Sequence, residues 1–345
     1  MKKIITTIGL DLAKSVFQVH GIDETGEVVA RRKLSRSRVL SFFAKLEPCL
    51  VGMEACATAH YWGREIRALG HDVKLMPPQF VKPYLKSQKN DMRDAEAICE
   101  AVTRPTMRFV QIKTPEQQAV LALHGVRDHW VRLSTRLINT LRGYLAEFGI
   151  VGARGRMGVE TILATLADDQ DDRLPELARE SLQPLAEELR HVKHRILETD
   201  RQIMKAHRSN EVCQRLETIP GVGPVIATRV VAEVANPASF KSARAFSAWI
   251  GLVPKQHSSG GRERLGSITK RGNPELRRLL VAGAMSMIIR AKQLGFTRHP
   301  WLSRLLERKP MMVAAIALAN KIGRMIWALM VKGETFNPAR LMPAK

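Results

Sequence analysis

The chain has 345 residues, of which 45% are hydrophobic, so it can bury the cores of two domains and wholesale disorder is excluded. Lys and Arg number 55 against 33 Asp and Glu, a formal net charge of +22 that favours nucleic acid as partner, with an acidic membrane surface or an acidic protein as alternatives. The four cysteines (Cys49, Cys56, Cys99 and Cys213) are scattered, which indicates buried thiols in a reducing cytosol rather than disulfides or zinc ligands.

The first hundred residues alternate short apolar strands with helices. The first strand-like run leads directly into Asp11, and a turn over 23–26 separates the next two. The predicted elements are strands over 3–10, 15–20, 27–34, 50–53 and 72–76, and helices over 36–46, over 59–69 and from about 78 and 92. This order is typical of an α/β domain with a mixed central sheet.

From about residue 115 the pattern changes to long helices. In one of them, apolar residues repeat at steps of three and four, with Thr199 in a vacant position, which predicts three heptads of a coiled-coil-like seam. The seam consists of Leu182, Leu185, Leu189, Val192, Ile196 and Ile203. Two interpretations stay open here: two helices that pack on each other within one chain, or an arm through which two copies dimerise.

The C-terminal part begins near residue 211 and is predicted to be mostly helical, with glycine-rich turns between its helices. Residues 201–345 hold 25 Lys and Arg against 7 Asp and Glu, a net charge of +18. The longest apolar stretch, 311–330, contains Asn320, Lys321 and Arg324, which makes it a poor membrane span. With no signal peptide after Met1, we expect a cytoplasmic, nucleoid-associated protein.

Three regions are expected from these changes of pattern. They are an α/β domain over 1–112, a helical and coiled-coil region over 113–208, and a mostly helical domain over 209–345.

Four carboxylates follow the predicted strands or open a helix. Asp11 comes directly after the first strand and Glu54 after the fourth, at positions where α/β domains often carry catalytic side chains. Asp91 and Asp94 are three residues apart, so on a helix they share one face near its N-terminus. Because hard oxygen ligands suit Mg²⁺, the four predict a site for two Mg²⁺ ions that share a scissile phosphate. Taken singly, each has a plainer interpretation as a solvated turn residue or a helix cap.

Residues 216–228 match a helix-hairpin-helix pattern with a Gly-x-Gly turn at Gly221 and Gly223. Such a turn exposes backbone N–H groups at a helix N-terminus, and these groups bind a DNA phosphate without reading its sequence. A plain turn between two helices is the alternative. The surrounding positive charge favours the phosphate contact.

A stretch of small, flexible and cationic residues runs from Trp249 to Asn273 and includes a serine doublet. It is suited to presenting Ser259 to a phosphate while nearby cations neutralise charge. A passive phosphate-binding loop is the alternative, and His257 is either a base or a further phosphate contact. The other predicted nucleic-acid contacts here are Ser258, Gly260, Arg262, Arg264, Lys270 and Arg271.

As a set, these motifs resemble the IS110 family of insertion-sequence transposases, and within it the IS1111 subgroup. They occur in the family's order and cover nearly the whole chain, although each piece alone has little specificity. The matching pieces are Gly9-Leu-Asp11-Leu-Ala-Lys, Gly52-Met-Glu54-Ala-Cys, Lys89-Asn-Asp91-Met-Arg-Asp94-Ala-Glu-Ala, Ile219-Pro-Gly-Val-Gly, and Ser258-Ser-Gly-Gly through Lys270-Arg-Gly-Asn273.

The resemblance implies a RuvC-like (RNase H-like) N-terminal domain whose Asp-Glu-Asp-Asp quartet falls on the four carboxylates named above. It implies a helical coiled-coil insertion and a C-terminal transposase domain whose nucleophilic serine falls on Ser259, with Ser258 one position away as the alternative. The implied chemistry is attack of the serine on a Mg²⁺-activated phosphate, which forms a covalent protein–DNA link. Implied partners are DNA at the element ends and target, a bridge RNA that pairs target and donor, and further copies of the chain in a dimer or tetramer.

Three functions are therefore in competition. The favoured one is a DNA transposase or recombinase that uses both the serine and the carboxylates. The second is a RuvC-like nuclease or junction resolvase in which water is the nucleophile and Ser259 only contacts phosphate; a covalent intermediate separates it from the first. The third is a non-enzymatic DNA- or RNA-binding protein, against which loss of activity with retained binding in Asp11→Asn would argue.

Overall fold

A computed structural model describes residues 4–85, 91–257, 264–295 and 300–337. The described chain falls into two compact units. The first contains the residues up to Glu116 together with Val234–Asn236, and the second contains Gln117–Glu233 and the residues from Pro237 onward. The finer boundaries at 112 and 208 stay predictions.

The first unit is built on a mixed five-stranded sheet. Its strands are β1 (Thr7–Leu12), β2 (Val16–Ile22), β3 (Val28–Ser35), β4 (Leu50–Glu54) and β5 (Asp72–Met76). Their order across the sheet is β3-β2-β1-β4-β5, in which β1, β2 and β3 pair antiparallel while β4 and β5 run parallel to β1. The prediction of a mixed α/β domain is confirmed.

Short helices connect these strands. They are α1 (Val39–Phe43), α2 (Ala59–Ala68), α3 (Pro78–Val81) and α4 (Asp91–Val102). The predicted helix over 36–46 was too long, because residues 36–38 form a 3₁₀ turn and α1 is only five residues long. A tightened last turn, in which the amide of Leu46 donates to the carbonyl of Phe43, ends this segment. Pro48 soon follows, and it biases the residue before it toward extended backbone.

One face of the sheet carries the main apolar core of the first unit. Side chains from alternate positions of β1 and β2, such as Leu10 and Phe17, are fully buried there. Phe43 of α1 and Trp62 of α2 belong to the same cluster, and the Phe17 and Trp62 rings meet edge to face with centroids 5.0 Å apart. This packing fixes the sheet against α1 and α2 and leaves its other face for α4.

The second face accommodates α4 through two glycines. A Cβ on Gly9 would lie 2.0 Å from the carbonyl oxygen of Ala95, and one on Gly52 would lie 2.8 Å from Cβ of Val102. Since no side chain fits in either space, α4 packs directly on the backbones of β1 and β4. The two glycines therefore set the distance between this helix and the sheet.

The rest of the chain is mainly helical. Its elements are α5 (Pro115–Ala146), α6 (Arg156–Ala167), α7 (Glu176–Arg208), α8 (Glu211–Glu217), α9 (Pro224–Glu233), α10 (Ala243–Ile250), β6 (Pro254–Gln256), β7 (Leu265–Ile268), α11 (Pro274–Leu294), α12 (Pro300–Arg308) and α13 (Met311–Lys332). The antiparallel ribbon of β6 and β7 was missed by the sequence analysis, because strands of three and four residues leave almost no periodic signal.

The predicted heptad seam lies on α7 and packs within the chain. Leu189 and Val192 of the seam are buried in one cluster with Leu141 and Leu145 of α5, and residues of α6 complete it. Farther along the same two helices, Arg127 Nε of α5 lies 2.6 Å from an Asp200 carboxylate oxygen of α7. Of the two interpretations, packing of helices within one chain is the one observed.

The apolar helix α13 is long and apolar enough to cross a membrane by length and composition alone. In the fold it supplies core residues instead: Leu318, Ile322 and Ile326 are buried. The Asn320 side-chain amide donates to the carbonyl of Leu252 at 3.0 Å, and the Trp327 indole donates to that of Pro237 at 3.0 Å. These contacts explain why a largely apolar helix carries polar positions.

Candidate active site

Asp11 and Glu54 lie at the carboxyl ends of two neighbouring parallel strands. β1 and β4 pair with Leu10 opposite Met53, so the next positions along the strands hold the two acids. Side chains alternate between the faces of a sheet, so Asp11 projects on the same face as Gly9, and Glu54 on the same face as Gly52. This is the face that α4 covers, and both acids are half-buried there.

Helix α4 completes the site with its first turn. It packs on β1 in the opposite direction, so its N-terminus lies over the strand end that carries Asp11. Asp91 and Asp94 are both in this turn; Asp91 is exposed and Asp94 half-buried. Ligand oxygens of Asp11, Asp91 and Asp94 lie within 4.8 Å of one another. The fold thus brings together three carboxylates that are more than 80 residues apart in the sequence.

Glu54 lies beside this trio without joining it. Among the residues that the structure describes, the set whose ligand atoms come within 4.8 Å of one another contains the three aspartates and not Glu54. The pKa of the neighbouring Cys56 thiol is raised by desolvation and then by the charges of Glu54 and Asp11, so the fields of both acids reach the same loop. Cys56 is exposed, and its assignment as a buried thiol was wrong because it lies in the turn after β4; Cys49, Cys99 and Cys213 are buried as expected.

The donor chemistry of the trio fits a hard divalent cation. Carboxylate oxygens are the ligands that Mg²⁺, Ca²⁺ and Mn²⁺ prefer. Like charges at this spacing repel one another, and a bound cation converts that repulsion into attraction. A divalent metal site is therefore what this arrangement supports.

The hairpin between α8 and α9 packs tightly at Gly221. This residue has φ +87°, and a Cβ on it would lie 3.1 Å from the carbonyl oxygen of Gly283 in α11. A Cβ on Gly283 would in turn lie 2.2 Å from the carbonyl oxygen of Gly221. Gly223, at the start of α9, faces open space. Gly221 thus has a packing role, while the helix N-terminus beside Gly223 is open to a ligand.

The Lys270-Arg271-Gly272-Asn273 motif joins the end of α10 to the start of α11. A Cβ on Gly272, which has φ +81°, would lie 1.7 Å from the carbonyl oxygen of Trp249. Asn273 caps α11, since its side-chain oxygen accepts from the amide of Leu276 at 3.0 Å. The glycine and asparagine of the motif therefore build a tight turn and a helix cap.

The cations of the motif are left on the surface. Lys270, with φ +54°, and Arg271 are exposed, and so is Arg264 at the start of the β6–β7 ribbon's second strand. The amide of His257 donates to the carbonyl of Arg264 at 2.9 Å, which closes the base of the loop between them. The predicted nucleophile and its neighbours, namely Ser258, Ser259, Gly260 and Arg262, lie outside the described residues.

Two family models match the chain. One, described as the transposase IS116/IS110/IS902 family, matches residues 213–299, and a DEDD transposase model of IS110 elements matches residues 8–150. The first region contains the hairpin and the serine loop. The second contains all four predicted carboxylates.

Individual relatives align over almost the full length. The chain is 48% identical to a probable family 20 transposase of Pseudomonas aeruginosa, with 97% of this chain and 99% of the relative covered. It is 44% identical to the transposase for insertion sequence element IS1111A of Coxiella burnetii (97% and 92% covered) and 40% identical to that for IS1328 of Yersinia enterocolitica (96% and 99%).

Proposed function

Because the chain belongs to the IS116/IS110/IS902 family of transposases, we propose that it cuts and rejoins DNA strands at the ends of an insertion sequence. The observation that carries the proposal is the approach of Asp11, Asp91 and Asp94 to within 4.8 Å. A cluster of like charges opposes its own assembly. Its presence at a sheet edge of a DNA-processing protein is explained by a divalent cation bound together with a phosphate.

The carboxylates serve as ligands of Mg²⁺. Asp11 and Asp94 are half-buried and held by the sheet and by α4, so they fix the position of the site, while the exposed Asp91 borders the solvent side. Glu54, at the end of the adjacent strand, is the additional ligand that a second ion requires. When bound, Mg²⁺ supplies positive charge that lowers the cost of attack on the scissile phosphate.

Ser259 is the nucleophile, with Ser258 as the alternative. Its hydroxyl oxygen attacks phosphorus, a serine–phosphate bond forms, and one phosphorus–oxygen bond of the DNA backbone breaks. The DNA end that leaves becomes a free hydroxyl and takes up the proton that the serine loses. Strand exchange follows when the hydroxyl of another strand attacks the serine–phosphate bond and releases the enzyme.

The exposed cations of the second unit bind the DNA backbone. Arg264, Lys270 and Arg271 lie close to the serine in sequence, and the open helix N-terminus at Gly223 offers backbone N–H groups to a phosphate. Arg262 and Gly260 complete this set. A bridge RNA and assembly into a dimer or tetramer are part of the same proposal, since strand exchange needs donor and target DNA in one complex.

Trapping of the covalent intermediate tests the proposal. Purified protein, Mg²⁺, DNA from the element junction and RNA transcribed from its flank are incubated, and a denaturing gel is examined for protein–DNA adducts. We expect an adduct with the wild-type protein and with Ser258→Ala. It should be lost in Ser259→Ala and in Asp11→Ala.

The outcomes separate the competing functions. Metal-dependent cleavage without an adduct, unaffected by Ser259→Ala, would instead establish a nuclease that uses water. An adduct lost in Ser258→Ala but kept in Ser259→Ala would move the nucleophile by one residue. Binding of DNA without cleavage by any variant or by the wild type would indicate a non-enzymatic binding protein.

A further inference from the structure

The edge strand β3 carries an unusual run of positive charge. The segment 28–38 contains five cations (Arg31, Arg32, Lys33, Arg36 and Arg38) and no acidic residue. All five are exposed, and the strand and the turn after it line an open groove of about 860 Å³. We call Arg31, Arg32, Lys33 and Arg38, which line this groove, the basic edge.

Part of the basic edge faces the same side of the sheet as the carboxylates. The register places Asp11 opposite Gln18 and Gln18 opposite Lys33, so these three form one row across β1, β2 and β3. Residues in such a row project on one face, and Arg31, two positions from Lys33, projects there as well. Two strand spacings amount to about 10 Å, the rise of about three nucleotides along one strand of duplex DNA.

The groove begins at the end of the sheet that holds the site. Ser35, at the end of β3, pairs with Val16 at the start of β2, just beyond the turn that follows β1. An Arg36 N–H donates to the carbonyl of Lys14 in that turn at 3.4 Å, while the guanidinium lies 5.0 Å over the Trp62 ring. Arg36 thus fixes the end of β3 beside the turn after Asp11. A polymer bound in the groove therefore lies beside the carboxylate cluster.

No carboxylate within the described part of the chain forms an ion pair with Arg31, Arg32, Lys33 or Arg38. Their charge is therefore available to a polyanion. The plainer role of such residues is protection of a sheet edge, because charged side chains prevent another strand from pairing there. A second copy of β3 would bring the same charges, so the edge does not suit pairing of two copies.

We propose that the basic edge binds the sugar–phosphate backbone of the nucleic acid whose scissile phosphate lies at Asp11, Asp91 and Asp94. Arg31 and Lys33 contact phosphates on the sheet face that carries these acids, a few nucleotides from the reacting one. This inference rests on the proposed function, since it names the surface that aligns the substrate with the site. The same phosphate chemistry is offered by a DNA duplex and by an RNA hairpin.

The salt dependence of binding tests the inference. Fluorescence anisotropy measures binding of the full chain to a labelled 20-base-pair duplex of arbitrary sequence and, in a second arm, to a labelled RNA hairpin, from about 50 to 200 mM KCl in EDTA. Each lost phosphate contact lowers the slope of log K against log salt by about 1. We expect Lys33→Glu to lower it by about 1, and Arg31→Glu/Lys33→Glu by about 2 with affinity about 50-fold weaker at 0.1 M salt.

Lys45→Glu is the matched control. It removes the same charge as Lys33→Glu from an exposed position in the segment that leads into β4, at the opposite end of the sheet from Asp11. A change seen with DNA only, with RNA only or with both supports the inference and identifies the source of the phosphates. Slopes and affinities equal to those of Lys45→Glu for both probes would overturn it.

Two further readings keep the result interpretable. Arg31→Gln/Lys33→Gln keeps polar side chains at the edge, and self-association of that variant with unchanged binding would establish edge protection as the role and overturn the inference. Because binding is measured in EDTA, it does not depend on catalysis. Failure of the adduct experiment with an intact salt effect would therefore contradict the proposed function and not the surface.

Discussion

Two pairs of glycines make opposite contributions to this protein. In the first unit, Gly9 and Gly52 allow α4 to lie directly on the sheet, and the consequence is a cluster of acidic side chains at its edge. In the second unit, Gly251 and Gly272 allow a turn to close on the end of α10; a Cβ on Gly251 would lie 2.1 Å from the carbonyl oxygen of Arg271. Both pairs belong to or adjoin motifs that the family resemblance singles out.

The comparison shows that one kind of motif has two kinds of cause. In the first unit the glycines bring charged groups together, and the charged groups are themselves the motif. In the second unit the described motif residues serve the backbone, through a turn and a helix cap, and their cations remain exposed at the surface. Substitutions should therefore separate activity from stability in the first unit and remove stability in the second.

The largest effect is expected at Asp11. Asp11→Asn should lower the rate of strand cleavage at least 10²- to 10³-fold, because it removes a charged ligand from the centre of the cluster. The free energy of unfolding should change by less than about 1 kcal/mol, since the side chain is only half-buried and the substitution is nearly isosteric. Cleavage assays and urea denaturation measure the two quantities.

Asp72→Asn is the control for this substitution. Asp72 begins β5 at the other end of the sheet and forms an exposed ion pair of 3.1 Å with Lys74, an interaction of little worth. It should leave both the cleavage rate and the stability unchanged. Full cleavage by Asp11→Asn would remove the distinction between the two ends of the sheet.

Gly272→Ala should affect stability instead. The new Cβ meets the carbonyl oxygen of Trp249, and φ +81° is unfavourable for alanine, so the free energy of unfolding should fall by about 3 kcal/mol or more. Gly143→Ala is the matched control, because Gly143 lies inside α5 with no atom within 4 Å of the added Cβ. It should raise stability by about 0.5–1 kcal/mol. Urea denaturation of the two variants beside the wild type gives the comparison, and a tolerated Gly272→Ala would disprove the tight turn.

The titratable group to examine in the second unit is a structural one. His124 of α5 is buried, its Nε2 lies 3.0 Å from the Thr228 hydroxyl of α9, and burial, followed by the charges of Arg229 and Arg127, lowers its pKa to about 4. The folded state therefore keeps the ring neutral while the unfolded state binds a proton. Stability is full above about pH 6.5 and falls by up to about 3 kcal/mol as the pH drops to about 4.

Urea midpoints between pH 7 and pH 4 measure this loss. His124→Gln retains a hydrogen-bonding side chain and cannot titrate, so it should flatten the decline in that range. An identical pH profile for the wild type and His124→Gln would show that other groups cause the acid sensitivity.

The sequence was sufficient for much of the first unit. Alternating β-branched and apolar residues located all five strands within a few positions, and the order of elements gave the mixed sheet. It did not reveal that Gly9 and Gly52 determine how close α4 comes, because a glycine in a strand has several possible causes. That Asp11, Asp91 and Asp94 lie together depends on this tertiary packing. Their catalytic roles stay a prediction.

The second unit was less predictable for a physical reason. Helical periodicity marks the face that is buried but not the helix against which it packs, so the seam of α7 left packing within the chain and dimerisation equally open. The packing role of Gly221 likewise depends on Gly283, more than 60 residues later in the sequence. Local pattern contains no information on such a contact, and it does not separate a packing glycine from a phosphate-binding one.

Direct measurement of metal binding tests the central claim, that Asp11, Asp91 and Asp94 hold a divalent cation. Mn²⁺ is titrated into the wild-type protein, Asp94→Asn and Asp72→Asn, and free Mn²⁺ is followed by its electron paramagnetic resonance signal. The account predicts a saturable site in the wild type and in Asp72→Asn, with affinity reduced at least about tenfold in Asp94→Asn. Equal binding by all three proteins would contradict it.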